Sequence, residues 1–161
     1  MATRANSKML RECFPDLFRM LPDHFPLLKN PEKALSSPPS PRYNCIAWAV
    51  DVDNAFWWPK VNVPGYFWPP GVPCEETIVA FQYAYATKGY VPIREADCEN
   101  YEQVIALMGK DGKVTHAMKR LSNGLWSSKL GQSFDIVHGL HELDSPIYGT
   151  VIGFMGRGEK K

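Results

Sequence analysis

From about Tyr90 onward the apolar residues of this chain recur every second position, and that change of period restricts the fold more than any other feature. The alternating runs cover 104–108, 113–121, 125–130 and 150–155. Two of the connections carry tight-turn chemistry, Lys110-Asp111-Gly112 and Ser122-Asn123-Gly124. Short strands joined by such turns predict an antiparallel meander. Upstream of Tyr90 the pattern is helical: residues 75–88 place Ile78, Phe81 and Tyr85 on one face, with Gly89 placed to end the helix. An amphipathic piece from Met9 to Leu21 is interrupted by Pro15. Helices first and strands later predict an α+β domain.

With 161 residues and 45% apolar content the chain suits one domain with its own core. Its formal net charge of +1 produces no long-range field towards nucleic acid or anionic lipid, so neither is expected as a partner. No secretory leader and no membrane-length apolar run is visible, and the chain is expected to be soluble and cytoplasmic. Cys13, Cys45, Cys74 and Cys98 form no C-x-x-C pair and are read as mostly reduced thiols. His138, His141, Asp135 and Asp144 lack the spacing of a convincing metal set, and 153–158 is glycine-rich without the Lys-Ser/Thr of a phosphate loop. No metal and no cofactor is expected.

Cys45 has the context of a nucleophile. It follows Asn44, a good N-cap, so it falls in the first turn of a short apolar helix, where the dipole and free N–H groups favour thiolate. A thiol also needs an imidazole, and His116 can supply one from the middle of a strand. Each residue has a plainer reading, the cysteine as a small core hydrophobe and the histidine as a hydrogen-bonded structural residue. Their order, a capped helix bearing Cys before a strand bearing His, favours catalysis.

The segments Tyr43-Asn44-Cys45-Ile46-Ala47-Trp48-Ala49, Thr115-His116-Ala117, 126–131, Asp135-Ile136-Val137-His138 and Tyr148-Gly149 resemble papain-like cysteine peptidases in the broad sense. The likeness is nearest to compact NlpC/P60-type amidases and small papain-like toxin domains. The resemblance implies a papain-like fold, N-terminal helices including the nucleophile helix packed on a C-terminal antiparallel sheet, with Cys45 as nucleophile and His116 as base. Papain's glutamine before the cysteine has no counterpart in 39–44, and NlpC/P60's Asp-Cys is Asn44-Cys45 here. Oxyanion donors would then be the Cys45 amide with Asn44 or Tyr43.

The group orienting the imidazole is left between Ser128 and Asp135. A three-residue loop at 122–124 puts Ser128 on the face of His116, whereas a two-residue loop puts Lys129 there. Asp135 is chemically the better orienter. Lys113, Lys119, Arg120 and Lys129 read most simply as a solvated basic strip. Trp57, Trp58 and Trp68 lie in a proline-rich aromatic stretch over 51–73 that could wall a cleft or close the core.

The organisation expected is a helical and proline-rich arm over 1–42 packed on the domain, a catalytic domain over 43–156 and a flexible tail over 157–161. The expected activity is that of a cysteine-dependent hydrolase or acyltransferase on a peptide, isopeptide or amide bond, through a thioester on Cys45. Its partner would be a protein or peptide substrate, and an effector or toxin domain would be delivered to another cell. The alternative is an inactive papain-like module that binds a protein through its aromatic loop. Oligomeric state leaves no mark in the sequence.

Overall fold

The computed structural model describes residues 12–13, 15–31, 35–37, 42–60, 62–130 and 135–161. Residues 9–11 and 14 of the expected amphipathic piece and the prolines at 38–41 lie outside these. In chain order the elements are α1 (Pro15–His24), β1 (Leu35–Ser37), α2 (Cys45–Trp48), β2 (Phe56–Trp57), β3 (Tyr66–Phe67), α3 (Ile78–Ala86) and β4 (Val91–Ile93). A 3₁₀ turn over Glu95–Asn100 leads into β5 (Tyr101–Lys110), β6 (Lys113–Arg120), β7 (Trp126–Lys129), β8 (Asp135–His138) and β9 (Thr150–Glu159). The chain is α+β, as expected.

Seven strands form one sheet in the order β1-β8-β7-β6-β5-β9-β4, all neighbours antiparallel. β5 to β8 are the meander. β9 leaves it and returns to the far side of β5, which makes β5 a central strand; β2 and β3 form a separate parallel pair. The β5–β6 hairpin turns on Asp111 and Gly112, both at positive φ, the conformation that an Asp-Gly pair supplies at little cost. At the next hairpin Leu121 donates its amide to the Leu125 carbonyl and Gly124 has φ of 84°, which is the three-residue loop.

Each face of the sheet carries its own core. On one, α1 and the following turn bring Leu21, Phe25 and Leu28 against Val104, Ala106, Met108, Met118 and Trp126, so this part of the N-terminal arm packs on the domain. On the other, α2 and α3 bring Cys45, Ile46, Ala47, Phe81 and Tyr85 against Ile105, Leu107, Ala117 and Met155. Thr77 caps α3 through the Ala80 amide.

Helical residues 12–13 precede Pro15, which opens a helix of its own, as expected of a proline in this piece; the first helical position has no intrahelical partner for the missing N–H. One expectation needs correction. The end of the chain is not a loose tail through 157–159: β9 runs to Glu159, and Arg157 donates to Gln103 and to the Lys88 carbonyl while lying over the Tyr90 ring.

Candidate functional site around Cys45

Asn44 does most to place Cys45. Its carboxamide oxygen accepts the amides of Ala47 and of Trp57, each at 3.1 Å, and its nitrogen donates to the Trp57 carbonyl at 2.7 Å. One side chain thus caps α2 and ties it to β2. Asn44 is therefore a scaffolding residue, with one of its two carboxamide N–H groups held by Trp57. α2 is a single turn of four residues, so its dipole is small, and the case for an activated thiol passes to closer groups.

Those groups meet at a seam in the sheet. β7 pairs with β6 only at Lys119 and Arg120, so the β6 edge is open towards Ala117, and α2 packs across both strands there. The N–H groups of Ala117, Ile46 and Cys45 itself act on the Cys45 sulfur and favour its charged form, as does Lys129. Burial outweighs them. Cys45 is 7% exposed as a residue, and its thiol pKa is pushed up to about 11.

Lys129 is fully buried, which corrects its reading as a solvated cation. It stands directly across from Asp135 in the β7–β8 ladder, and its ammonium lies 5.2 Å from the centre of the Tyr43 ring. The Tyr43 hydroxyl reaches Asp135 at 3.5 Å. Burial lowers the Lys129 pKa, while Asp135 and Cys45 raise it. Tyr43 is raised first by burial and then by Asp135. Cys45, Lys129, Asp135 and Tyr43 therefore form one electrostatic cluster on the α2 side of the sheet.

His116 looks the other way. Between Met108 and Gly109 the β5–β6 register shifts, so that Met108 opposes His116 and Gly109 opposes Val114, with Thr115 as the extra bulge residue. Beyond the bulge, alternation sends Ala117 into the Cys45 core and Met118, with His116, into the α1 core. The imidazole lies flat on Tyr148, ring centres 4.2 Å apart and planes within 7°. Neither ring nitrogen has a hydrogen-bond partner among the described residues, Cys45 included. Burial and the nearby His138 take its pKa down to about 3.

Tyr148 is itself held. Thr115 donates its hydroxyl to the Tyr148 carbonyl, Phe25 packs on the ring, and Ser145 and Gly149 bridge their backbones around it. At Gly149, with φ of 74°, a Cβ would strike the Gly109 carbonyl.

The two candidates for orienting His116 have other partners. Ser128 shares its face, as the three-residue loop requires, but its hydroxyl lies 2.6 Å from Nε2 of His138. His138 Nδ1 is 2.7 Å from the Gly139 carbonyl, so Nδ1–H donates there and Nε2 accepts from Ser128. Burial lowers His138 to about 4. Asp135 belongs to the Lys129 cluster on the opposite face. Sequence reasoning named both residues and missed the groups they serve, although the alternation of 126–129 already placed Ser128 and Lys129 on opposite sides.

The aromatic stretch closes the core. Trp57 is buried, and Trp58 and Trp68 pack edge-on against Phe81 at 5.6 and 5.1 Å. Their indole N–H groups donate to Glu76 and to the Pro73 carbonyl. Tyr66 and Phe67 are the exposed rings of this stretch. A cavity of about 220 Å3 reaches His138, lined also by Leu28, Leu125 and Glu142. Among the described residues no three His, Cys, Asp or Glu side chains gather as a metal site, and no helix is long and apolar enough to cross a membrane.

A family model matches residues 34–156, most of the chain, and the protein belongs to that family, a domain of unknown function (DUF7689). No curated protein and no solved structure matches it significantly.

Proposed function

We propose that the domain is a cysteine-dependent hydrolase or acyltransferase that carries an acyl group as a thioester on Cys45, with a peptide, isopeptide or amide as substrate. The observation that carries this reading is the setting of the thiol: three backbone N–H groups and a buried ammonium act on one sulfur at an open strand edge. The same donors suit the oxyanion of a tetrahedral intermediate.

In this reading the S–H proton passes to a ring nitrogen of His116 as sulfur attacks the carbonyl carbon. The imidazolium then protonates the departing amine, leaving the thioester, and water or an acceptor amine releases the acyl group and restores the thiol. Because His116 faces the α1 core and Cys45 lies on the other side of the sheet, this transfer requires β6 to turn the imidazole to the α2 side, and the stacking on Tyr148 is lost in that movement.

A second reading, an inactive module that binds a protein through its aromatic stretch, is favoured by the neutral resting pair, a thiol near 11 and an imidazole near 3. Tyr66 and Phe67 would be its contacts. The test is mass analysis after mixing with p-nitrophenyl acetate and peptide thioesters. A hydroxylamine-labile adduct mapped to Cys45 and turned over by His116-containing protein supports the enzyme. Adducts confined to the exposed Cys13 and Cys74 support the binding module.

A further inference from the structure

We infer that Lys129, clamped between Asp135 and the Tyr43 ring, is the counter-ion that sets the charge state of Cys45. The inference deepens the thioester reading above and rests on it for its use in catalysis.

A lysine with no exposed surface is rare in a domain of this size, because desolvating an ammonium is unfavourable unless nearby charges offset it. Here the offset comes from two directions. Asp135 faces Lys129 across the β7–β8 ladder, and the Tyr43 ring presents its π-face at 5.2 Å. A carboxylate alone would satisfy a structural lysine. The location is what indicates more: β7 packs against α2, the turn that carries Cys45, and so brings this cation to the side of the sheet that holds the sulfur.

The other titratable groups that feel the sulfur's charge are phenols, Tyr85 of α3 in the same core and Tyr148 on the far side of the sheet, both held protonated by burial. Neither can neutralise a thiolate. Asp135 keeps Lys129 charged, so the ammonium persists when the thiol proton leaves for a base or for water. Tyr43 also stacks on Trp48 at 5.7 Å, which links the cation's position to the far end of α2. Lys129 is thus a positioning and electrostatic residue.

The experiment is alkylation of the full chain by iodoacetamide, with the rate at each cysteine read by peptide mass mapping between pH 7 and 9. Lys129→Met should slow Cys45 about tenfold at a fixed pH, the effect of a one-unit rise in thiol pKa. Lys129→Arg should stay within about threefold of the parent, since it restores the charge. Cys98, buried in the other core, reports loosening of the fold and should not change. Should Lys129→Met fail to fold through its stranded carboxylate, Lys129→Met with Asp135→Asn removes both charges and should show the same slowing. An unchanged or faster Cys45 rate in a folded variant overturns the inference. The assay needs no acyl transfer: a Lys129-dependent thiol that forms no thioester would refute the enzyme reading and leave the counter-ion standing.

Discussion

Along β7 neighbouring side chains enter two different chemistries. Lys129 points to the α2 side, where charges are buried against one another: ammonium, carboxylate and a thiol that could join them. Ser128 points to the α1 side, where His138 and His116 are buried neutral beside Tyr148. The backbone separating them is one residue. A sheet with a core on each face therefore holds a cluster of buried charges and a pair of neutral histidines back to back.

The largest effects should come from removing either side's reacting group. Cys45→Ala and His116→Ala should each abolish thioester turnover, by at least about a thousandfold, while the circular dichroism spectrum stays that of the parent. Cys13→Ser and Cys74→Ser, on exposed thiols, should leave turnover intact. Full turnover in His116→Ala would break the comparison outright, because the α1 side would then contribute nothing.

Acid should distinguish the faces next. His116 and His138 fold as neutral rings with pKa values near 3 and 4 against an ordinary 6.5. An unfolded chain binds their protons first, so their burial stabilises fully above about pH 6.5 and this stability is lost as pH falls towards the folded values. Each ring should then cost about 1.4 kcal/mol per pH unit below 6.5. Urea denaturation at pH 7, 6 and 5 reads the slope. His116→Phe keeps a ring against Tyr148 and removes one titration, so its slope should be shallower than the parent's by that amount. Equal slopes would mean that the imidazole titrates in the folded protein and is not sealed behind Tyr148.

How far the residues could be read without coordinates follows from the same strands. The meander was legible because Asp111-Gly112 and Ser122-Asn123-Gly124 demand particular turns, and the second of these sets Ser128 on the face of His116. The cap on Cys45 was legible because Asn44 can accept an amide three residues on. What Asn44 does besides, grasping both polar groups of Trp57, depends on a contact that local pattern does not encode. β8 and the two-residue strands β2 and β3 were missed because they are too short to show a period. Lys129 was misread because a lysine's surroundings are decided by its partners, Asp135 and Tyr43, which only the ladder order reveals. The bulge at Thr115 lies beyond simple alternation, since one extra residue resets which side every neighbour occupies.

The smallest effect should fall on Ser128, and its size discriminates between a structural and a catalytic pair. Ser128 and His138 have the outward form of a nucleophile and its base, a hydroxyl at 2.6 Å from an imidazole whose other nitrogen is fixed on a carbonyl. The hydroxyl is fully buried and the ring is lowered to about 4, so the base is weak and no reactant meets the oxygen. Ser128→Ala removes the donor and strands a buried acceptor, which should cost about 1–3 kcal/mol in stability. Cys45 alkylation should be unchanged, because Ser128 belongs to the opposite face. Denaturation midpoints and the alkylation profile together decide the matter. A folded Ser128→Ala protein with a shifted Cys45 profile would show that the two faces are coupled through β7, and the separation of their chemistry by a single residue would no longer hold.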